Sequence, residues 1–176
     1  MKWSDEREQF FKNAYAETSA ILIRIAYRIT FNMEVAEELC HEAFIKLCER
    51  PERIPNQNQI KYWLIRVVKN MALNHAKRQK RERWAYEKVL NGDTRSAESG
   101  EDIFLKQETS LSVQQAVNTL PQKLQEVLVL VEYGRLNYRE IGKVLKISEA
   151  NVKMRVFRAR EKMSNLLKKD GLHALE

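Results

Sequence analysis

Apolar residues recur at helical spacing along most of the chain. From residue 34 to 50, Val35, Leu39, Ala43, Phe44 and Leu47 fall at spacings of three and four, one stripe on one helix face. Glu37, Glu38, His41 and Glu42 lie off that stripe. Asn32 is a good N-cap for this helix, with Glu34 in the first turn where the dipole favours an anion. Pro51 and Pro55 close it and bound a loop. An earlier helix, capped by Ser4, carries Phe10, Phe11, Ala14, Tyr15, Ile21, Leu22, Ile25 and Ile29. A third long helix runs through "IKYWLIRVVKNMALNHAKRQKRERW", with Ile60, Leu64, Val67, Val68 and Met71 as its buried stripe.

The last third repeats the theme with sharper punctuation. A short helix is expected near 110–118. Pro121 marks the next start, preset for a first helical turn, and "KLQEVLVLVEY" follows as an apolar helix ending near Gly134. Asn137 with Glu140 three residues on is a capping box, and Leu136 with Ile141 makes a hydrophobic staple. Ser148 repeats the device, with Ile147 and Val152 as its staple. Two helix starts this close, with a tight turn at 146–147, give helix-turn-helix spacing. Ile141, Val144, Leu145, Ile147, Val152, Val156 and Ala159 form a shared seam. Gly142 permits close approach of the two helices. With the seam inward, Lys153, Met154, Phe157, Arg158 and Arg160 turn outward, and Arg155 sits at the edge. A charged face alone is ordinary solvated surface, but an outward phenyl ring among cations suits a DNA groove better than water.

Composition sharpens this picture. With 5 Gly and 3 Pro in 176 residues, the chain suits helices. The net charge is +7, which fits a polyanionic partner. The charge is segregated: residues 1–83 carry +5, residues 84–108 carry −3, and residues 109–176 carry +5. The middle block contains "NGDTRSAESGED", a linker composition. The expected architecture is all-α, with helical domains at 1–83 and 109–176, the second a helix-turn-helix, joined by a flexible acidic linker at 84–108.

Catalytic chemistry finds no footing. There is no Gly-rich phosphate loop, no GxSxG, no HExxH and no CxxC. Cys40 and Cys48, about 12 Å apart on one helix, are too far apart for a disulfide and read as reduced thiols of a cytoplasmic protein. No metal, cofactor or small-molecule substrate is expected. No apolar run approaches the roughly 18 residues of a membrane span, and the polar N-terminus does not read as a signal peptide.

"LPQKLQEVLVLVEYGRLNYREIGKVLKISEANVKMRVFRAREKM" resembles the promoter-binding C-terminal domain of bacterial extracytoplasmic-function (ECF) sigma factors, whose pattern runs L-P, an apolar helix, Y-x-E-I-A, L-x-I-S and V-K-x-R-x-x-R-A-R. "AYRITFNMEVAEELCHEAFIKL" resembles the family's polymerase-docking helix, and "YWLIRVVKNMALNHAKR" its strand-opening helix. The resemblance covers about residues 10–168. It implies core RNA polymerase, through its clamp and flap regions, and promoter DNA as partners. Glu37, Glu38, His41 and Glu42 would face the clamp. Asn56, Asn58, Lys61, Tyr62, Trp63, Arg66, Asn70, Asn74 and Lys77 would face the minus-ten element, with aromatics stacking on unpaired bases and cations on phosphates. For Trp63 a core position is equally open. "KRQKRER" would contact duplex backbone. Ser148, Asn151, Lys153, Met154, Arg155, Phe157 and Arg158 would read the minus-thirty-five element. An anti-sigma factor is a further implied partner, able to hold a cytoplasmic chain near a membrane. The acidic linker would lie in a basic polymerase channel.

This chain departs from the pattern at Gly142 (usually Ala), Lys146 (usually Gly), Asn151 (commonly Thr) and Met154 (commonly a small polar residue). Lys146 is expected to need a positive φ. A competing reading is a conventional helix-turn-helix regulator whose first block senses a ligand or dimerises. A pocket-forming fold or a dimer seam would mark such a block, whereas this one has basic helices with aromatics.

Overall fold

The structure, a computed structural model, describes residues 5–49, 59–90, 113 and 116–169. Among them the regular elements are helices: α1 (Asp5–Thr30), α2 (Met33–Glu49), α3 (Ile60–Leu90), α4 (Gln122–Glu132), α5 (Tyr138–Leu145) and α6 (Glu149–Lys169), with helical residues at 116–119. Ser4, the loop 51–58 and most of the acidic linker lie outside the described residues.

In the N-terminal half α1, α2 and α3 pack against one another. Leu22, Ile25 and Ala26 of α1, Ala36, Cys40, Ala43 and Leu47 of α2, and Leu64, Ile65 and Val68 of α3 are buried among them. Each large side chain removed from water in this way contributes about 1.5–3 kcal/mol. Asn32 caps α2 as expected, its Oδ1 accepting from the Val35 amide at 3.1 Å. Phe31 before it takes φ 54°, which turns the chain sharply from α1 into α2. Neither Cys40 nor Cys48 is in a disulfide. Burial pushes the Cys40 thiol up to about 11.

The α3 stripe differs from expectation. Val67 and Met71 are half-buried, while Ile65, Ala72, Leu73 and the cation Lys69 join Ile60, Leu64 and Val68 inside. The helix is covered from two sides, by α1 and α2 and by α5 from the other half. It also continues to Leu90, past the basic run and into the block expected as linker.

In the C-terminal half α6 packs on α4 and α5. Pro121 is the N-cap of α4 rather than its first helical residue, with ψ 137°. Gly134 follows α4 where a Cβ would sit 2.6 Å from the Leu130 carbonyl oxygen. No described helix is long and apolar enough to cross a membrane.

Candidate nucleic-acid interface

The helix-turn-helix is fixed by local chemistry. Asn137 Oδ1 accepts from the Glu140 amide at 2.9 Å, and Glu140 Oε2 accepts from the Asn137 amide at 2.9 Å. The expected capping box is therefore complete at both bonds. α5 ends at Lys146, which adopts φ 57° and ψ 46°. A left-handed lysine costs about 1–2 kcal/mol, which glycine would not incur. The Ile147 amide returns to the Gly142 carbonyl at 3.0 Å. A Cβ at Gly142 would meet the Ile147 carbonyl oxygen at 2.7 Å, so the turn folds directly over this glycine. Ser148 then caps α6, its Oγ accepting from the Asn151 amide at 3.3 Å.

Ile141, Val144, Val152, Val156 and Ala159 are buried along the seam. Leu145 and Ile147 are half-buried at its margin. Seam packing sets the roll of α6 and so decides what it shows to solvent. Ser148, Asn151, Lys153, Met154, Phe157 and Arg158 are exposed, and Arg155 is half-buried. Met154 and Phe157 keep 51% and 66% of their surface, too much for residues that serve the core. Lys153 reaches Glu149 at 3.6 Å, an exposed pair that water screens. Arg160 is held by Glu132 at 3.0 Å. A shallow cleft beside the turn is lined by Arg139, Lys143 and Lys146, with Ser148 and the carboxylate of Glu149 at the start of α6.

On α2, Glu37, Glu38 and His41 are exposed, and half-buried Glu42 pairs with Lys46. Tyr15 of α1 braces this surface. Its hydroxyl lies 3.3 Å from His41 Nε2, and its ring stacks on His41 and tilts against Phe44. Ile45 adds an exposed apolar spot on the same helix. The sequence pattern grouped Tyr15 with the core of α1, and only tertiary packing pairs it with His41.

The α3 set divides. Asn70 and Asn74 are exposed, Lys61 is half-buried, and Trp63 is half-buried against the hydrophobic core. Asn56 and Asn58 lie outside the described residues. Half-buried Tyr62 and Arg66 and exposed Lys77 each contact the C-terminal half. Tyr62 Oη donates to Glu140 Oε1 at 3.2 Å. Burial, then the Glu140 carboxylate, holds its phenol above the usual value. Arg66 donates from Nε to the Val144 carbonyl and from Nη2 to the Lys143 carbonyl, both at 2.7 Å. Lys77 Nζ donates to Gln122 Oε1 at 2.6 Å. Lys69, which the sequence pattern did not single out, pairs with Glu126 at 3.0 Å. The basic run beyond is exposed, with Lys77, Lys80, Arg81 and Trp84 around one open surface depression.

Comparison with known proteins agrees with both halves. The model of sigma-70 region 2 matches residues 14–82, and that of sigma-70 region 4 matches residues 110–163. The ECF RNA polymerase sigma factor SigW of Bacillus subtilis is 26% identical over 155 residues, across 84% of this chain and 83% of that protein. The RNA polymerase sigma-H factor of Pseudomonas aeruginosa is 27% identical over 154 residues, across 83% of this chain and 80% of that protein. Among solved structures, the sigma factor RpoE of Bartonella quintana, crystallised with the anti-sigma factor NepR, shares the fold at TM-score 0.60 and 20% identity, covering 90% of this chain and 96% of that one. CnrH in complex with the cytosolic domain of CnrY does so at TM-score 0.65 and 19% identity, covering 91% and 88%. A sensing or dimerising N-terminal domain is not favoured, because that block matches sigma-70 region 2. With both matches in this order on one chain, the protein belongs to the sigma-70 family, as an ECF sigma factor that directs promoter-specific transcription initiation.

Proposed function

We propose that this sigma factor grips a promoter at two places and docks on core RNA polymerase at a third. Glu37, Glu38, His41 and Glu42 of α2 form the docking face. The α3 residues Lys61, Tyr62, Trp63, Arg66, Asn70, Asn74 and Lys77, with Asn56 and Asn58 before them, receive the minus-ten element as it melts. The outward face of α6 reads the minus-thirty-five element. The observation that carries this reading is that exposed face. Apolar Met154 and Phe157 stand among Lys153 and Arg158 on the second helix of a capped helix-turn-helix. Arginine and lysine suit guanine edges and phosphates, and an apolar tip suits a thymine methyl group.

The chain itself catalyses no covalent step and works in the cytoplasm on polymerase's behalf. An anti-sigma factor is its expected regulator, by analogy with the complexed relatives. Domain limits of 1–83 and 109–176 around an acidic linker accompany this reading. Permanganate reactivity of thymines tests the strand-opening role. With core polymerase and the wild-type chain, promoter thymines in the minus-ten region become reactive. With Asn70→Ala and Asn74→Ala together, reactivity falls severalfold while polymerase binding persists. Unchanged reactivity would remove α3 from strand opening.

A further inference from the structure

α6 turns an apolar ridge toward solvent. Ala150, Met154 and Phe157 stand four and three residues apart, the spacing of neighbours on one helix face. All three are exposed, and neither Met154 nor Phe157 belongs to the hydrophobic core or its packed margin. Val152, Val156, Ala159 and Met163 are buried on the opposite side, so packing behind the ridge fixes it outward. Lys153 borders the ridge on one side, and Asn151 and Arg158 border it on the other. Single exposed apolar side chains are ordinary on a protein surface. Three in line down the middle of a face that enters a DNA groove select among bases.

In the major groove every base pair shows hydrogen-bonding groups, and thymine alone adds a methyl group. An apolar ridge has little to offer the polar groups. Pressed on guanine or cytosine, it strips water from O6, N7 or the N4 amino group and leaves them unpaired. Pressed on thymine methyls, it removes apolar surface from water on both sides. We propose that the ridge reads thymine methyl groups, so that the minus-thirty-five element of this chain holds at least two adjacent thymines on one strand. This rests on the reading of α6 given above and names the sequence class that its face selects.

The shape of the ridge fits that task. From Ala150 to Phe157 it runs about 10 Å along the helix axis, the height of roughly three base-pair steps. The short side chain lies in the first turn, the part of a recognition helix nearest the base edges. The longer ones follow as the helix leaves the groove. Met154 is flexible and polarisable, so it settles on a methyl group without demanding one geometry. It is also the position where the family pattern commonly has a small polar residue. Thymine reading is therefore a property of this chain's side chains, not of the fold.

The test uses the full chain with core RNA polymerase and promoter fragments whose minus-thirty-five window is randomised. Bound fragments are selected and sequenced, and the enriched element is expected to contain adjacent thymines. Each thymine is then replaced singly by deoxyuridine, which removes the methyl group and keeps every hydrogen-bonding group. Replacement under the ridge should weaken competitive binding about fourfold, the worth of one methyl group taken from water. At the same positions 5-methyldeoxycytidine should bind more tightly than deoxycytidine by a similar factor. Met154→Gln keeps the length of the side chain and presents an amide suited to adenine N6 and N7. It should abolish the deoxyuridine effect at one position, move the preference there to adenine, and leave the thymine under Phe157 as sensitive as before. An enriched element without adjacent thymines, or deoxyuridine bound as well as thymidine by the wild-type chain, overturns methyl reading. Deoxyuridine effects that Met154→Gln leaves intact at every position overturn the role of Met154. If no element is enriched and Arg158→Ala changes nothing, the reading of α6 itself fails, and the inference with it.

Discussion

Lys146 and Gly142 carry the shape of the recognition turn. Lys146 holds φ 57°, and the Ile147 carbonyl oxygen sits 2.7 Å from where a Gly142 Cβ would be. Lys146→Gly should stabilise the fold by about 1 kcal/mol, read as a higher melting temperature. Gly142→Ala should destabilise it by roughly 1–3 kcal/mol, because the clash with backbone outweighs the helix propensity gained. Both effects were within reach of the sequence, since a turn between two capped helices leaves few conformations for its residues. Cys40 gives a third residue-scale expectation. Its folded pKa of about 11 lies above the unfolded value, so the folded chain keeps a proton that the unfolded chain releases. The stabilising contribution is intact at neutral pH and declines as pH rises from about 9 toward 11. Denaturation midpoints across that range check the sign, and Cys40→Ala should flatten the decline.

At the scale of the element, α6 is legible and α3 is only partly so. The roll of α6 follows from Val152, Val156 and Ala159, whose neighbours are a few residues away on α5, so its outward residues could be named from the pattern alone. Arg158→Ala should lower minus-thirty-five-dependent transcription by about 1–3 kcal/mol of promoter binding, with an unchanged melting temperature. A parallel fall in melting temperature would make Arg158 structural. α3 resists such reading because two bodies cover it. Its stripe toward α1 and α2 is ordinary apolar periodicity. Lys69 is buried by an acid in the other half of the chain, and no local spacing announces that pairing. Tyr15 under His41 is the same kind of contact, made between helices rather than along one. The caps at Asn32, Asn137 and Ser148 were legible for the opposite reason: each bond closes within three residues.

For the whole molecule, the proposed function needs three surfaces to act together: the α2 face toward polymerase, the α3 face toward the melted strand and the α6 face toward duplex. The segregated charge places basic bodies at both ends of the chain, and the matched family regions fall on the same two bodies. Glu38→Arg should weaken capture of core polymerase at least severalfold while the chain alone binds duplex DNA as before. An unchanged pull-down would move the docking face elsewhere. The most direct measurement is run-off transcription by core polymerase on a pool of genomic fragments, with and without this chain. Discrete start sites that require both proteins, with their yield reduced by Arg158→Ala, are the expected result. No initiation from any fragment, alongside tight duplex binding by the chain alone, would contradict the account.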